Sequence, residues 1–328
     1  VINLLLKHLY VNMKSTAKIK KKNILIIGAG RLGTTLASVL VIKPVPDLKV
    51  RYIASRTEKS LIKAKKIIGK HGREIIFTKD MVEGVKDCSI IFICTPDDEI
   101  EKVCNNIAKN AELSLKGKYF IHFSGSKRLE VLNNAKKLGA YVASIHPMKS
   151  FASIADSIRT IGGTVYGITF EKTHLCREST EAKSLIIDIV EALGGTTVEV
   201  KDDDKPLYHA AACVASNYLV SLVNYAVEIN EKIGIKSEDS LKGLIGLIES
   251  TINNIKKLGT KKALTGPIAR GDTGTIKEHL DNFKKNFEKG DYLLYKVLGL
   301  ATSKIAYENK WISRRTFQEL KTIFMDGE

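Results

Sequence analysis

The sequence lacks the features that would assign it to a membrane, disulfide-rich or repeat class. No apolar stretch reaches the length that a bilayer span requires, which argues against a membrane protein. The five cysteines form no C-x-x-C pair and their number is odd, so no disulfide framework is indicated and no metal site is expected. No internal repeat or low-complexity segment is present. The cysteine usage fits a reduced, cytoplasmic compartment best.

Negative charge is scarce relative to positive charge. The 328 residues contain 52 Lys and Arg against 36 Asp and Glu, which gives a formal net charge of +16. The lysines are scattered, however, and no nucleic-acid recognition motif accompanies them. We interpret the charge as a lysine-rich solvated surface, part of which attracts an anionic cofactor and substrate. Nucleic acid and membrane are not expected partners.

A glycine motif follows the first buried strand of the chain. Residues 24–27 form a continuous apolar run, and Gly28, Gly30 and Gly33 then follow at the G-x-G-x-x-G spacing before an apolar pattern of helical period. This order predicts a dinucleotide-binding loop, in which the helix N-terminus faces the pyrophosphate. The alternative is a glycine-rich turn without a ligand. The residues predicted to bind cofactor here are Gly28, Ala29, Gly30, Arg31, Leu32 and Gly33.

The end of the predicted second strand, residues 49–54, favours NADP over NAD. Sites that prefer NAD carry an acidic residue near this point, which accepts hydrogen bonds from the ribose 2′-hydroxyl. Here the sequence is Ser55-Arg56-Thr57, without a carboxylate. A guanidinium flanked by two hydroxyls suits the 2′-phosphate of NADP. The alternative is an exposed loop arginine.

Further strands are predicted at residues 74–77, 90–94, 118–123, 141–145, 164–170 and 197–200, with a helix at 179–193 between the last two. Thr95 and Pro96 end a central strand, where we expect contact with the nicotinamide. Ser124, Gly125 and His146 follow two other strands at the same sheet edge and are candidate substrate residues. His122 falls inside its strand, and we interpret it as a core histidine.

From residue 202 the apolar period is helical to the end of the chain. One helix is predicted from about residue 206 to 233, with Lys205, His209 and Ser216 on one face and Asn217 beside them. This polar stripe faces either a cleft between domains or a polar seam against the first domain. Other helices are predicted at about 237–257, 281–287 and 293–324.

A loop rich in glycine and proline, residues 264–272, adds three polar candidates. Arg270 can bind a substrate carboxylate or, alternatively, loop carbonyls. Thr265 is a further candidate for the substrate, and Asp272 is a candidate that can also cap the next helix.

The predicted class is α/β, a Rossmann-type doubly wound parallel sheet followed by a mainly α-helical domain. Residues 1–22 are expected to form a disordered extension, 23–201 the NAD(P)-binding domain, and 202–328 an all-α substrate and dimerisation domain. Met13 is expected to be the translation start.

Several of these motifs resemble a known group of oxidoreductases. The N-terminal half is similar to the dinucleotide-binding domain of ketopantoate reductase, pyrroline-5-carboxylate reductase, prephenate dehydrogenase and 6-phosphogluconate dehydrogenase. Residues 22–328 resemble a branch that adds a helical domain long catalogued as of unknown function. The matching stretches are His122-Phe-Ser-Gly125, His146-Pro-Met148, residues 205–217 and residues 264–272.

The resemblance implies roles for individual residues. Lys205 matches a lysine that acts as general acid in ketopantoate reductase. His209 stands where that family has asparagine, a departure that puts the substrate in doubt, although a histidine on the same helix works in 6-phosphogluconate dehydrogenase. The expected catalytic residues are Lys205, His209 and Asn217. A homodimer is also implied by the resemblance.

Three functions stay open from the sequence. The first is NADPH-dependent reduction of a small anionic 2-oxo acid, with ketopantoate as the single best substrate. The second is reduction or dehydrogenation of an imine or cyclic acid, as in the pyrroline-carboxylate and prephenate enzymes. The third is a non-catalytic protein that senses NADP(H).

Overall fold

The computed structural model describes residues 22–44, 47–110, 114–171 and 177–325. The chain divides into two compact units, which meet in sequence between Ser216 and Asn217. Of the N-terminal extension expected at residues 1–22, residues 1–21 lie outside the described residues. Lys22 is described and begins the first strand. The first unit includes residues 202–216, whereas the domain boundary predicted after residue 201 stays a prediction.

The first unit is built on one eight-stranded sheet in the order β3-β2-β1-β4-β5-β6-β7-β8. Its strands are β1 (Lys22–Ile27), β2 (Leu48–Ala54), β3 (Ile76–Thr78), β4 (Ile90–Ile93), β5 (Tyr119–His122), β6 (Tyr141–Pro147), β7 (Val165–Phe170) and β8 (Thr196–Glu199). The first six strands are mutually parallel, which confirms the predicted Rossmann-type class. β7 runs antiparallel to β6, and β8 runs parallel to β7.

Helices cover both faces of this sheet. They are α1 (Arg31–Ile42), α2 (Glu58–Ile68), α3 (Met81–Asp87), α4 (Asp97–Ala108), α5 (Asn133–Lys137), α6 (Ile154–Thr160), α7 (Arg177–Ala192) and α8 (Lys205–Ala215). Because the central strands are covered on both sides, every residue of β4 is buried, as its unbroken apolar run predicts. The two resulting cores lie on opposite faces, with Ile24 and Phe92 in one and Leu25 and Ile91 in the other.

The helix predicted at residues 206–233 is two helices, which corrects the sequence prediction. α8 ends at Ala215, Ser216 has non-helical dihedral angles (φ −120°, ψ −67°), and α9 (Asn217–Lys232) begins immediately afterwards. The shared helical face assumed for Lys205 and Ser216 therefore does not exist, because the helical phase is interrupted between them.

Residues 202–232 form the described segment that is long and apolar enough to cross a membrane by length and composition, because an 18-residue window within it has a mean hydropathy of 1.4. The expectation that no stretch reaches this length is wrong by that criterion. A single segment of this kind is weak evidence for a membrane span, and this one contains the break at Ser216.

The second unit is helical. After α9 it contains α10 (Ser237–Lys262), α11 (Pro267–Arg270), α12 (Thr273–Asn286), α13 (Lys289–Glu308) and α14 (Arg314–Met325). Its core joins α11 to α14 through side chains that include Ile268, Ile276, Leu280 and Leu320. The single helix predicted at 293–324 is thus two helices, α13 and α14, separated by residues 309–313.

Candidate functional site

The glycine motif forms a tight loop between β1 and α1. Gly28 has φ +112°, and a Cβ there would lie 2.6 Å from the carbonyl oxygen of Cys94. A Cβ at Gly33 would lie 2.0 Å from the carbonyl oxygen of Gly28, so only glycine lets α1 pack this closely on the loop. At Gly30, by contrast, a Cβ would meet no atom within 4 Å. The open space beside this backbone is what a bound pyrophosphate requires.

A cavity of about 170 Å³ lies at this loop. Its walls come from the ends of β1, β2 and β4, so it lies at the carboxyl edge of the parallel strands, where ligands bind in open α/β sheets. The predicted cofactor residues that line it are Gly28, Ala29, Gly30, Ser55, Arg56, Thr95 and Pro96. Arg31 does not line the cavity, and its Nη1 donates to the carbonyl oxygen of Ala152 at 3.4 Å. Leu32 packs against the core.

Thr95 supplies an independent indication of a ligand. Its hydroxyl oxygen is buried and has no hydrogen-bond partner among the described residues. A buried hydroxyl without a partner is unfavourable, so a ligand that accepts or donates a hydrogen bond here would stabilise it. The residues present therefore fit a dinucleotide at the loop.

Arg56 is exposed at the mouth of this cavity. Its Nη1 lies 3.1 Å from Oε2 of Glu99, a residue in the first turn of α4. Thr57 occupies the N-cap position of α2 without a side-chain cap bond, and its hydroxyl donates to Oγ of Ser60 at 2.8 Å. A cation and hydroxyl groups thus lie together after β2, as the sequence predicts.

Lys205 is buried within the first unit, with 1% of its surface exposed. Its Nζ donates to the carbonyl oxygen of Ser124 at 3.0 Å and to Oγ of Ser144 at 2.6 Å. Burial lowers the pKa of Lys205 to about 8, while the carboxylates of Asp202 and Asp97 act in the opposite direction. A lysine with a pKa near neutrality can both hold and release a proton at physiological pH.

The turn after β5 is held by a carboxylate. Oγ of Ser124 donates to Oδ2 of Asp97 at 2.7 Å and accepts from the backbone N–H groups of Ser126 and Lys127. Oγ of Ser126 donates to the same carboxylate oxygen at 2.9 Å. These bonds fix the turn whose carbonyl oxygen receives the Lys205 ammonium.

Two histidines and a tyrosine from β6 and α8 lie close together. Nδ1 of His146 lies 3.1 Å from the hydroxyl of Tyr208, and the rings of His146 and His209 have centroids 5.9 Å apart. Burial lowers the pKa of His146 to about 4, and His209 and Lys205 add to the effect. His146 is therefore neutral at pH 7, and its ring can donate or accept a hydrogen bond without carrying charge.

Glycines in the turn after β5 and in β7 make room for the α8 side chains. A Cβ at Gly125 would lie 2.7 Å from Cδ2 of His209, and a Cβ at Gly167 would lie 2.4 Å from the hydroxyl of Tyr208. Because these positions carry no side chain, α8 approaches the β5–β7 face through polar groups. In the first unit the polar groups of α8 thus contact the sheet, as in the seam that the sequence predicts as the alternative to a cleft.

His122 is a buried histidine whose second nitrogen is unsatisfied. Its Nδ1 accepts from the backbone N–H of Ser124 at 3.2 Å, which assigns the proton to Nε2, and Nε2 has no partner among the described residues. Burial, Lys205 and His146 together lower the pKa of His122 to about 3. The interpretation as a core histidine agrees with its full burial, but half of its hydrogen-bonding capacity is free.

The remaining predicted site residues belong to the second unit. Asn217 and Thr265 are exposed. Nε and Nη2 of Arg270 each lie 3.0 Å from Oδ2 of Asp272, so this arginine is paired within its own loop. Asp272 occupies the N-cap position of α12 but makes no side-chain cap bond, so the predicted capping bond is absent.

Sequence reasoning missed Ser144, Tyr208 and Asp97. Ser144 lies two residues before His146 in β6, on the same face of the strand. Tyr208 lies three residues after Lys205 in α8, on the same helical face. Both signals were available from spacing alone. Asp97 follows Thr95-Pro96 directly, and a carboxylate opening a helix is ordinarily interpreted as a dipole interaction.

A larger cavity, about 660 Å³, lies at the opposite edge of the sheet. Tyr119 and Tyr141, the first residues of β5 and β6, line it with stacked rings, and its Lys136 is paired with Glu171 at 2.5 Å. It lies away from the carboxyl ends of the parallel strands and contains none of the predicted site residues.

Comparisons with protein families match the two parts of the chain separately. Residues 23–123 match the family described as NADP oxidoreductase, coenzyme F420-dependent. Residues 175–302 match a domain family of unknown function, DUF2520. The predicted resemblance and the cofactor, NADP(H), are confirmed at this family level. No curated protein matches the chain.

Solved structures share the fold over nearly their whole length. A protein from Thermotoga maritima is 24% identical with a TM-score of 0.66, over 88% of this chain and 99% of that chain. A Bacteroides fragilis protein described as an NADP oxidoreductase is 21% identical with a TM-score of 0.65, over 88% and 100%. Plasmodium falciparum pyrroline carboxylate reductase, solved with NADP bound, is 16% identical with a TM-score of 0.55, over 92% and 99%.

Proposed function

Because the chain joins the dinucleotide-binding domain of the NADP oxidoreductase family to a DUF2520 helical domain, we propose that it is an NADPH-dependent reductase of a small 2-oxo acid. Ketopantoate is the substrate that we favour. The observation that carries the proposal is a buried lysine of lowered pKa, Lys205, at the carboxyl side of the sheet that carries the cofactor cavity.

The cofactor would be held by the loop and by the strand ends around it. The backbone at Gly28 and Gly30 and the N-terminus of α1 would bind the pyrophosphate. Arg56, with Ser55 and Thr57, would bind the 2′-phosphate. The Thr95 hydroxyl and Pro96 would contact the nicotinamide, which supplies the hydride when bound.

Lys205 would stabilise the negative charge that develops on the carbonyl oxygen and deliver the proton. Ser124 and Ser144 each accept one of its N–H bonds and so fix the direction of the third. Reduction leaves the amine neutral, and its lowered pKa permits reprotonation from solvent near pH 7. His209 would orient the substrate or share the proton, and Asn217 would bind a polar group of the substrate.

The substrate's own polar groups would be bound by the other predicted residues. Ser124, Gly125 and His146 would contact the 2-oxo acid from the sheet edge. The substrate carboxylate would be bound by Arg270, with Thr265 and Asp272 in the same loop. Arg270 would then exchange its bond to Asp272 for one to the substrate.

The charge of Lys205 favours a carbonyl over an iminium substrate. A buried ammonium attracts the negative charge that forms on a carbonyl oxygen and repels an iminium cation. The imine alternative is kept because pyrroline carboxylate reductase shares the fold along 92% of this chain. An NADP(H)-sensing protein would need the cavity but not Lys205.

NADPH oxidation by the purified chain tests the proposal. Ketopantoate should be turned over with saturation, and 2-oxoisovalerate, pyrroline-5-carboxylate and NADH serve as comparisons. Turnover of pyrroline-5-carboxylate alone would favour the imine reaction, and NADPH binding without turnover of any substrate would favour the sensor.

Lys205→Met should lower turnover by a factor of about 100 or more, because it removes the proton donor. NADPH affinity should change little in this variant, since the cofactor cavity does not include Lys205. Lys127→Met, on a half-buried lysine that pairs with Asp98, is the matched control and should keep wild-type turnover. Near-normal turnover of Lys205→Met would remove this residue from the proposed role.

We further propose a cytoplasmic homodimer. Cys88, Cys94, Cys104 and Cys213 are all free thiols, as a reducing compartment favours, whereas Cys176 lies outside the described residues. In the second unit, Ser240 is the only buried residue among the 26 of α10. A helix with this much apolar surface exposed, including Leu247 and Leu258, calls for a partner surface. Light scattering should give about twice the chain mass.

A further inference from the structure

A carboxylate that the proposed mechanism does not use lines the cofactor cavity. Glu99 shares this cavity with Gly30, Ser55 and Arg56. Its Oε2 accepts from Nη1 of Arg56 at 3.1 Å, and its Oε1 accepts from Nζ of Lys102 at 2.7 Å. The hydrogen bond and charge of Lys102 lower the pKa of Glu99, so it is ionised at neutral pH.

The position of Glu99 affects the two cofactors differently. A 2′-phosphate that binds Arg56 brings about two negative charges next to this carboxylate, and like charges at this range repel. The 2′-hydroxyl of NAD carries no charge and can donate a hydrogen bond to a carboxylate. Glu99 therefore opposes the binding of NADP without opposing that of NAD.

We propose that Glu99 determines cofactor specificity, because its carboxylate competes with the 2′-phosphate of NADP for Arg56 and so limits the preference for NADP over NAD. The inference rests on the proposed function to the extent that the cavity binds the adenosine ribose. Glu99 lies in α4, so its effect on cofactor preference is not visible in Ser55-Arg56-Thr57, the residues after β2.

Glu99→Gln separates charge from position. Glutamine retains an oxygen that accepts from Arg56, so the guanidinium stays in place while the negative charge is lost. NADP⁺ should bind about 3- to 10-fold more tightly, as expected for charges of this size near the surface at moderate salt. NAD⁺ affinity should change by less than about twofold, and the NADP⁺ gain should shrink at high ionic strength.

Isothermal titration of the full chain measures these affinities without turnover. Glu101→Gln removes one carboxylate from the exposed surface of the same helix and controls for net charge. It should bind NADP⁺ as the wild type does. The fragments 2′,5′-ADP and 5′-AMP differ only in the 2′-phosphate, so the gain in Glu99→Gln should appear with the former and not with the latter.

The outcomes distinguish this inference from the proposed function. Unchanged NADP⁺ affinity in Glu99→Gln, or equal gains for NADP⁺ and NAD⁺, would overturn the role of Glu99 and leave the cofactor assignment intact. An equal gain with both adenosine fragments, or from Glu101→Gln, would overturn it as well. A wild-type chain that binds no NADP⁺ would overturn both.

Discussion

The buried ammonium of Lys205 should make the first unit more stable in mild alkali. Its pKa is about 8 in the folded chain, against 10.5 for an ordinary lysine. Between these values the unfolded chain binds more protons than the folded one, so the free energy of unfolding rises with pH. At 1.36 kcal/mol per pKa unit, this contribution changes by about 2.5 kcal/mol between pH 7 and pH 10.

Lys205→Met isolates this contribution, since every other group titrates in both proteins. The variant has no titrating group at this position, so the pH dependence of the difference reports the folded pKa of Lys205, which already includes its bonds to Ser124 and Ser144. Urea unfolding of both proteins from pH 7 to pH 10 gives the difference in free energy of unfolding, wild type minus variant. This difference should increase by about 2.5 kcal/mol. A difference that stays flat over the range would refute the assignment of a lowered pKa to Lys205.

Two further predictions concern the glycine loop and the bond between Lys205 and Ser144. Gly30→Ala should change the free energy of unfolding by less than about 0.5 kcal/mol and abolish NADP⁺ binding. Gly33→Ala should lower the free energy of unfolding by about 3 kcal/mol or more, because its Cβ would meet the Gly28 carbonyl. Tight NADP⁺ binding by Gly30→Ala would contradict the pyrophosphate position. Ser144→Ala should lower the free energy of unfolding at pH 7 by about 2 kcal/mol, because an ammonium loses its acceptor, and by less at pH 10.5. An equal loss of unfolding free energy at the two pH values would contradict the dependence of this bond on the charge of Lys205.

The parts of the fold that local patterns determine were predictable. The apolar runs of β1 and β4 and the glycine spacing between them fix a strand, a turn and a helix from neighbouring residues alone. The position of Thr95 at the cavity was predictable because parallel strands end at the same carboxyl edge of a sheet. The same reasoning located Ser124 and His146 at one sheet edge; the Ser124 carbonyl accepts a hydrogen bond from Lys205, and the charge of Lys205 helps to lower the pKa of His146.

The remainder depends on which surfaces meet, and no local pattern carries that information. The reversed direction of β7 is set by how the chain crosses after β6, whereas its apolar residues suit either direction. The break at Ser216 lies in Ala215-Ser216-Asn217, which contains neither proline nor glycine to mark it. The pairing of Tyr208 with His146 requires the whole of α8 to be laid on the sheet.

The two bonds that fix Lys205 also determine when the site forms. They join residues 81 and 61 positions apart in the chain, and the segment between the bonded residues includes β7 and β8. Closing loops of this length carries an entropic penalty that only an assembled sheet offsets, which slows this step relative to local helix formation. We expect the site to mature last during folding. Refolding followed by recovered turnover should therefore lag behind refolding followed by circular dichroism.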